Sequence, residues 1–141
     1  MVDLLLIERD VVALCHEVGA FIKKECDQFN PDAIEQKEGF NNLVSYVDKQ
    51  AEIKLVERLQ QLLPQAGFIT EEGTISKKSD EYNWIIDPLD GTTNFIHGVP
   101  VFAISVGLSY KNEMVLGVIH DINRNECYHA SKGRQAQRNN T

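Results

Sequence analysis

The sequence predicts an α+β fold, layered, with two long N-terminal helices packed on a largely antiparallel β-sheet. Three observations predict it. Apolar residues recur at steps of three and four from Leu4 to Ile22, and again from Val47 to Leu63. From Phe102 onward large apolar residues alternate with small ones at a period of two. Turn signals at Lys111-Asn112-Glu113 and Asn123-Arg124-Asn125 cut that second half into short segments. Helices gathered first and strands afterwards give segregated layers rather than alternating β-α-β units.

The chain has 141 residues, 43% of them hydrophobic and 25% charged, with a net charge of −7. That is enough chain for one ordinary core. An acidic surface argues against nucleic acid as a main partner. The same charge repels a phosphorylated ligand, so a phosphate site here needs bound cations to reverse the local sign. Cys15, Cys26 and Cys127 are far apart and form no CxxC pair, which points away from a structural zinc site or disulfide framework and towards a cytoplasmic protein. The apolar run Leu4–Ile7 is too short for a membrane span or signal segment, and no membrane partner is expected.

In chain order, residues 3 to about 29 read as an amphipathic helix with Asp3 as N-cap, fading at Asn30-Pro31. His16 reads as a histidine at the helix surface or core edge. Residues 31 to 43 are polar and carry Gly39 and an Asn pair, the marks of a short hairpin or loop; Lys37, their only cation, reads as solvated. A second helix starts near Ser45–Asp48 and runs to Leu63, stopped by Pro64 and Gly67. Asp48 in its first turn favours the helix dipole. Gly67–Thr70 is a short buried strand, followed by Glu71-Glu72-Gly73, and residues 74 to 83 read as an exposed loop. After the central stretch come a His97-Gly98 loop and strands at Phe102–Leu108, Met114–Ile119 and Glu126–Ala130. The small residues Ala103, Ser105 and Gly107 suggest close coverage of their face by helices. The tail from Ser131 to Thr141 is polar and has no evident packing face. No internal repeat or linker is visible, so residues 1–141 read as one domain.

The chemistry concentrates in Trp84-Ile-Ile-Asp-Pro-Leu-Asp-Gly-Thr-Thr-Asn-Phe95. It reads as a strand ending in an acidic turn that feeds a short helix. Asp87 and Asp90 flank Pro88, which fixes φ, and the Leu89 carbonyl can face the same ion. Gly91 allows close main-chain approach. The helix start offers N–H groups to an anion. An EF-hand is excluded, because Pro88 and Leu89 fill positions that need oxygen donors. An Asx-type turn without a ligand stays open. So do two hydrolytic schemes: two metals sharing carboxylates, or an aspartate nucleophile. The first needs a further carboxylate, for which Glu71 is the nearest candidate. His97 and His120 fit neither scheme clearly.

The same stretch, with His97-Gly98 and Pro100, resembles the signature of the inositol monophosphatase family, part of the Mg²⁺-dependent, Li⁺-sensitive sugar-phosphatase superfamily. Phe68-Ile-Thr-Glu-Glu72 resembles the family's Glu-Glu element, and Lys37 with Leu43-Val-Ser-Tyr-Val-Asp48 resembles its Lys…Asp element. Thr92-Thr93-Asn94-Phe95 looks like the inositol monophosphatase branch. The resemblance covers nearly the whole chain but only about the first half of a family member. It implies an N-terminal metal-binding domain whose C-terminal domain lies outside these residues. It implies an enzyme that hydrolyses inositol monophosphate or a similar polyol or sugar phosphate with two or three Mg²⁺ per complete site, inhibited by Li⁺. Glu71, Asp87 and the Leu89 carbonyl would bind one Mg²⁺, with Asp87 bridging to a second held by Asp90. Gly91 and Thr92 would bind phosphate, Thr92 and Asp48 would prepare the attacking water, and Lys37 would lie in a mobile loop. The family also favours homodimers. Two departures accompany it: Asn42 stands where the family often has Asp, and the later Trp-Asp-x-Ala-Ala-Gly element is absent. The alternative is an incomplete fragment that binds metal or phosphate without turnover, or a non-catalytic interaction protein.

Overall fold

The computed structural model describes residues 2–28, 37–70, 78–97 and 99–140, with the side chains of 37–42, 93 and 96 outside that description. Helix α1 spans Leu4–Asp27 and α2 spans Lys37–Leu62. Six strands follow: β1 Gly67–Thr70, β2 Tyr82–Asp90, β3 Ala103–Tyr110, β4 Glu113–Asp121, β5 Glu126–Ser131 and β6 Gln137–Arg138. The short helix α3, Thr92–Ile96, sits between β2 and β3. The strands lie in sequence order in one sheet, with β1 parallel to β2 and every later pair antiparallel.

Helix α1 forms where its pattern places it. The Asp3 side chain accepts a hydrogen bond from the Leu6 N–H, satisfying one of the helix's free donors. Ile7, Val11, Leu14, Val18 and Ile22 make one buried stripe. Helix α2 begins well before the expected Ser45–Asp48, so much of the stretch read as a loop or hairpin is helical. Gly39 and the Asn pair weigh against a helix only through propensity, which is a weak force. Leu43, Val44, Val47, Ala51, Leu55 and Leu59 pack on the core and carry the helix through.

The two faces of the sheet differ. One carries Phe68, Trp84, Ile86, Ile104, Val106, Leu108, Leu116 and Val118, all buried beneath α1 and α2. Trp84 is wholly buried and is among the largest side chains of this core. The other face carries Ile69, Ile85, Met114, Ile119 and Tyr128, which are 40–54% exposed. The helices therefore cover the large-residue face of β3, not the face of Ala103, Ser105 and Gly107. Covering large apolar residues removes more surface from water than covering small ones, and that decides the side. At Gly107 the Met114 side chain fills the space that small residues leave.

The hairpin between β3 and β4 turns through Lys111 and Asn112, both at positive φ, as a tight two-residue loop needs. Strand β2 begins at Tyr82, inside the expected loop. The polar tail also differs from expectation, because it returns as β6 against β5. Asn139 holds it there: its N–H donates to the Cys127 carbonyl at 2.7 Å, and its side-chain oxygen accepts from the Cys127 N–H at 2.9 Å. The Asn139 carbonyl meets His129 Nε2 at 2.7 Å, while His129 Nδ1 meets the buried Glu8 carboxylate of α1 at 2.5 Å. A polar segment is thus packed through hydrogen bonds rather than an apolar face.

Candidate active site

The acidic turn is built by an irregularity in the sheet. Asp87 pairs with Ser105 and Asp90 with Ala103, so Pro88 and Leu89 together stand opposite Ile104. Side chains alternate faces along a strand, so residues three apart ordinarily point to opposite sides. The extra residue of this bulge restores the phase. Ser105 and Ala103 share a face, and Asp87 and Asp90 therefore share it too. Pro88 suits the bulge because it has no N–H to withdraw from the ladder. Leu89 is buried and anchors the turn.

The turn is bonded to itself. The Leu89 N–H donates to Asp87 Oδ1 at 3.3 Å, the Asx-type bond weighed from the sequence. The Thr92 hydroxyl donates to the Leu89 carbonyl at 3.1 Å, and the Phe95 N–H to the Gly91 carbonyl at 3.0 Å, which opens α3. Neither bond exhausts its acceptor, since a carbonyl has two lone pairs and a carboxylate about four acceptor sites. Gly91 is at φ +98°, and a Cβ there would meet the Val101 carbonyl oxygen at 2.8 Å. That oxygen also accepts from Asn94 Nδ2 at 2.8 Å, so the loop after α3 folds back against the turn.

The other predicted residues fall as follows. Thr92 is half-buried at the start of α3. Asp48 is buried on α2, and α2 packs against α3. Glu71 and the Lys37 side chain lie outside the described residues; β1, which immediately precedes Glu71, ends at Thr70, the register partner of Ile86 beside Asp87. His97 is exposed. Asp121 was not anticipated. It pairs with Ala103, the same residue that pairs with Asp90, so the two aspartates stand in one row across three strands. They line a depression of about 250 Å³ with Gly91, Asn94 and Phe102. The Asp121 carboxylate already accepts from the Arg124 N–H at 3.2 Å. No spacing in the sequence signals this neighbour, because strand register alone creates it.

The donors fit a hard divalent cation. Two carboxylates share one face, the carbonyl between them is free to accept further, and no nitrogen or sulfur donor is among them.

A sheet backed by two helices on one face, with its strands in this order, is the fold of solved inositol monophosphatases. The family model described as the inositol monophosphatase family matches residues 6–141, and the chain belongs to that family. Among its relatives, the Nus factor SuhB of Escherichia coli K12 is 38% identical over 130 residues, covering 91% of this chain and 48% of the relative. The structure of inositol monophosphatase-II from Staphylococcus aureus MSSA476 superposes with a TM-score of 0.82 at 29% identity, over 97% of this chain and 50% of that one. Inositol monophosphate-bound SaIMPase-II gives 0.80 at 29% identity, over 99% and 49%. The chain thus spans about half the length of the relatives it matches.

Proposed function

We propose that the protein hydrolyses a phosphate monoester of inositol or a similar polyol or sugar, with Mg²⁺ and water. The observation that carries this reading is the bulge that turns Asp87 and Asp90 to one face beside the Leu89 carbonyl. Asp87, Leu89 and Asp90, with Glu71, would hold the metal, and bound there Mg²⁺ would supply positive charge to polarise water and neutralise phosphate oxygens. Gly91 and Thr92 open α3 and would offer N–H groups to the phosphate. The Thr92 hydroxyl, whose proton lies on the Leu89 carbonyl, keeps lone pairs that can accept a hydrogen bond from water. Asp48 would take up the proton as general base. Lys37, expected in a mobile loop, is instead the first residue of α2. A cytoplasmic location, a homodimer and Li⁺ inhibition go with this reading.

The test is phosphate release from inositol 1-phosphate with Mg²⁺, with and without Li⁺. It is run on the 141-residue chain and on a version extended to the length of the relatives. Extended protein without turnover on any sugar phosphate would sink the enzyme reading. Asp90→Asn should abolish turnover and leave the circular dichroism spectrum unchanged; surviving activity would reject the ligand assignment.

A second reading is supported by the name of the Escherichia coli relative, a Nus factor, and by the half-length match. Here the chain binds metal or phosphate, or acts as an interaction protein, without useful turnover. Full-rate turnover by the short chain excludes it.

A further inference from the structure

On the helix-covered face of the sheet, away from the carboxylates, three residues from distant parts of the chain converge. His120 and Cys127 are direct register partners on β4 and β5, so their side chains stand side by side towards α1. His16, on α1, places its ring centroid 4.4 Å from that of His120. One ligand atom from each of His16, His120 and Cys127 lies within 4.8 Å of both others. His120 and Cys127 are buried, while His16 is half-buried. Nδ1 of His120 has no hydrogen-bond partner among the described residues, although buried polar atoms normally find one.

We propose that His16, His120 and Cys127 form a binding site for a thiophilic divalent cation of the Zn²⁺ type, separate from the carboxylate site. Geometry sets the first condition. Three atoms no more than 4.8 Å apart lie within about 2.8 Å of a common centre, against zinc–ligand distances of roughly 2.0–2.3 Å. The sulfur need move inward by about 0.5 Å and each imidazole nitrogen by about 0.8 Å at most, within reach of side-chain rotation. Donor chemistry sets the second. Two imidazoles and a thiolate suit zinc and disfavour Mg²⁺, while three protein ligands leave a fourth position for water.

Access sets the third condition. His16 also lines a cleft of about 790 Å³ between α1 and the returning tail, together with Glu8, Arg9, His129 and Arg134. The half-buried ligand therefore stands between this opening and the two buried ones. The site is also sculpted: a Cβ at Gly19 would meet the His120 ring at 2.8 Å, so only glycine lets the imidazole lie against α1.

Protonation is consistent with the geometry. Burial, then His16, holds His120 down to about 4, so its ring is neutral and able to ligate at neutral pH. Burial holds the Cys127 thiol up to about 11, so it is protonated when empty. Binding then forms a metal–sulfur bond and releases the thiol proton to solvent. The bound ion would join α1 to β4 and β5.

The test uses the 141-residue chain, stripped of metal and held in excess Mg²⁺ to occupy the carboxylate site. Co²⁺ is titrated as the probe. The expected result is a thiolate-to-cobalt charge-transfer band that saturates at one equivalent and collapses when Zn²⁺ is added. The band should be absent in Cys127→Ser and retained in Cys26→Ser. His16→Gln alters a half-buried position and should weaken Co²⁺ binding about tenfold or more with the circular dichroism spectrum unchanged. Folded wild-type protein that gives no charge-transfer band overturns the proposal, as does a band that survives Cys127→Ser or an affinity unmoved by His16→Gln.

Discussion

Gly91 holds φ +98° with the Val101 carbonyl 2.8 Å from where a Cβ would sit, and it does so between a proposed metal ligand and a proposed phosphate-binding threonine. Gly91→Ala meets both obstacles at once. It should cost roughly 1–3 kcal/mol of stability, read as a lower urea midpoint, and should lower phosphatase turnover more than a surface variant of equal stability. The need for glycine was legible in the sequence as the residue after an acidic turn. The cause was not, because Val101 is brought there by the loop that follows α3. Asp87 and Asp90 were legible in the same way, through type and spacing. Asp121, His16, His120 and Cys127 were not: each reads as an ordinary helix or strand residue until register and helix packing set it beside its neighbours.

Strand β4 carries the two-faced character of the sheet in its own sequence. Leu116 points under the helices and is almost wholly buried, whereas Ile119, three residues on, is 52% exposed. Leu116→Ala should cost roughly 2–5 kcal/mol through lost burial and the cavity left behind. Ile119→Ala should stay within about 0.5 kcal/mol. Paired urea denaturation curves measure both, and equal costs would mean that the sheet is covered on both sides. At the end of β2 the bulge makes a second prediction. Deleting Pro88 removes the extra residue; Asp87 and Asp90, then two positions apart, stay on one face, but Leu89 alone faces Ile104 and its carbonyl is drawn into the regular ladder, away from them. Mg²⁺ affinity, measured by calorimetry, should fall about tenfold or more while the sheet signal persists. Alternation along β3 and β4 was visible in the sequence. Which face the helices would cover was read the wrong way round, since small residues suggest close packing while larger apolar area decides which face is buried.

One core, with Trp84 wholly buried between the helices and the sheet, joins all the main elements. Unfolding should therefore be a single cooperative transition, with Trp84 fluorescence and far-ultraviolet circular dichroism giving the same midpoint. Separated midpoints would show that the helices and the sheet unfold independently. No helix among the described residues is long and apolar enough to cross a membrane. The sequence by itself determined the family, the helix–sheet layering and the acidic turn, because these are written in local periodicity and in a contiguous motif. Only the tertiary structure decided that the carboxylates share a face, that the polar tail packs against β5, and that two histidines and a cysteine meet beneath α1. Those are relations between residues up to about a hundred positions apart, and strand register and helix packing, which no local pattern encodes, bring them together.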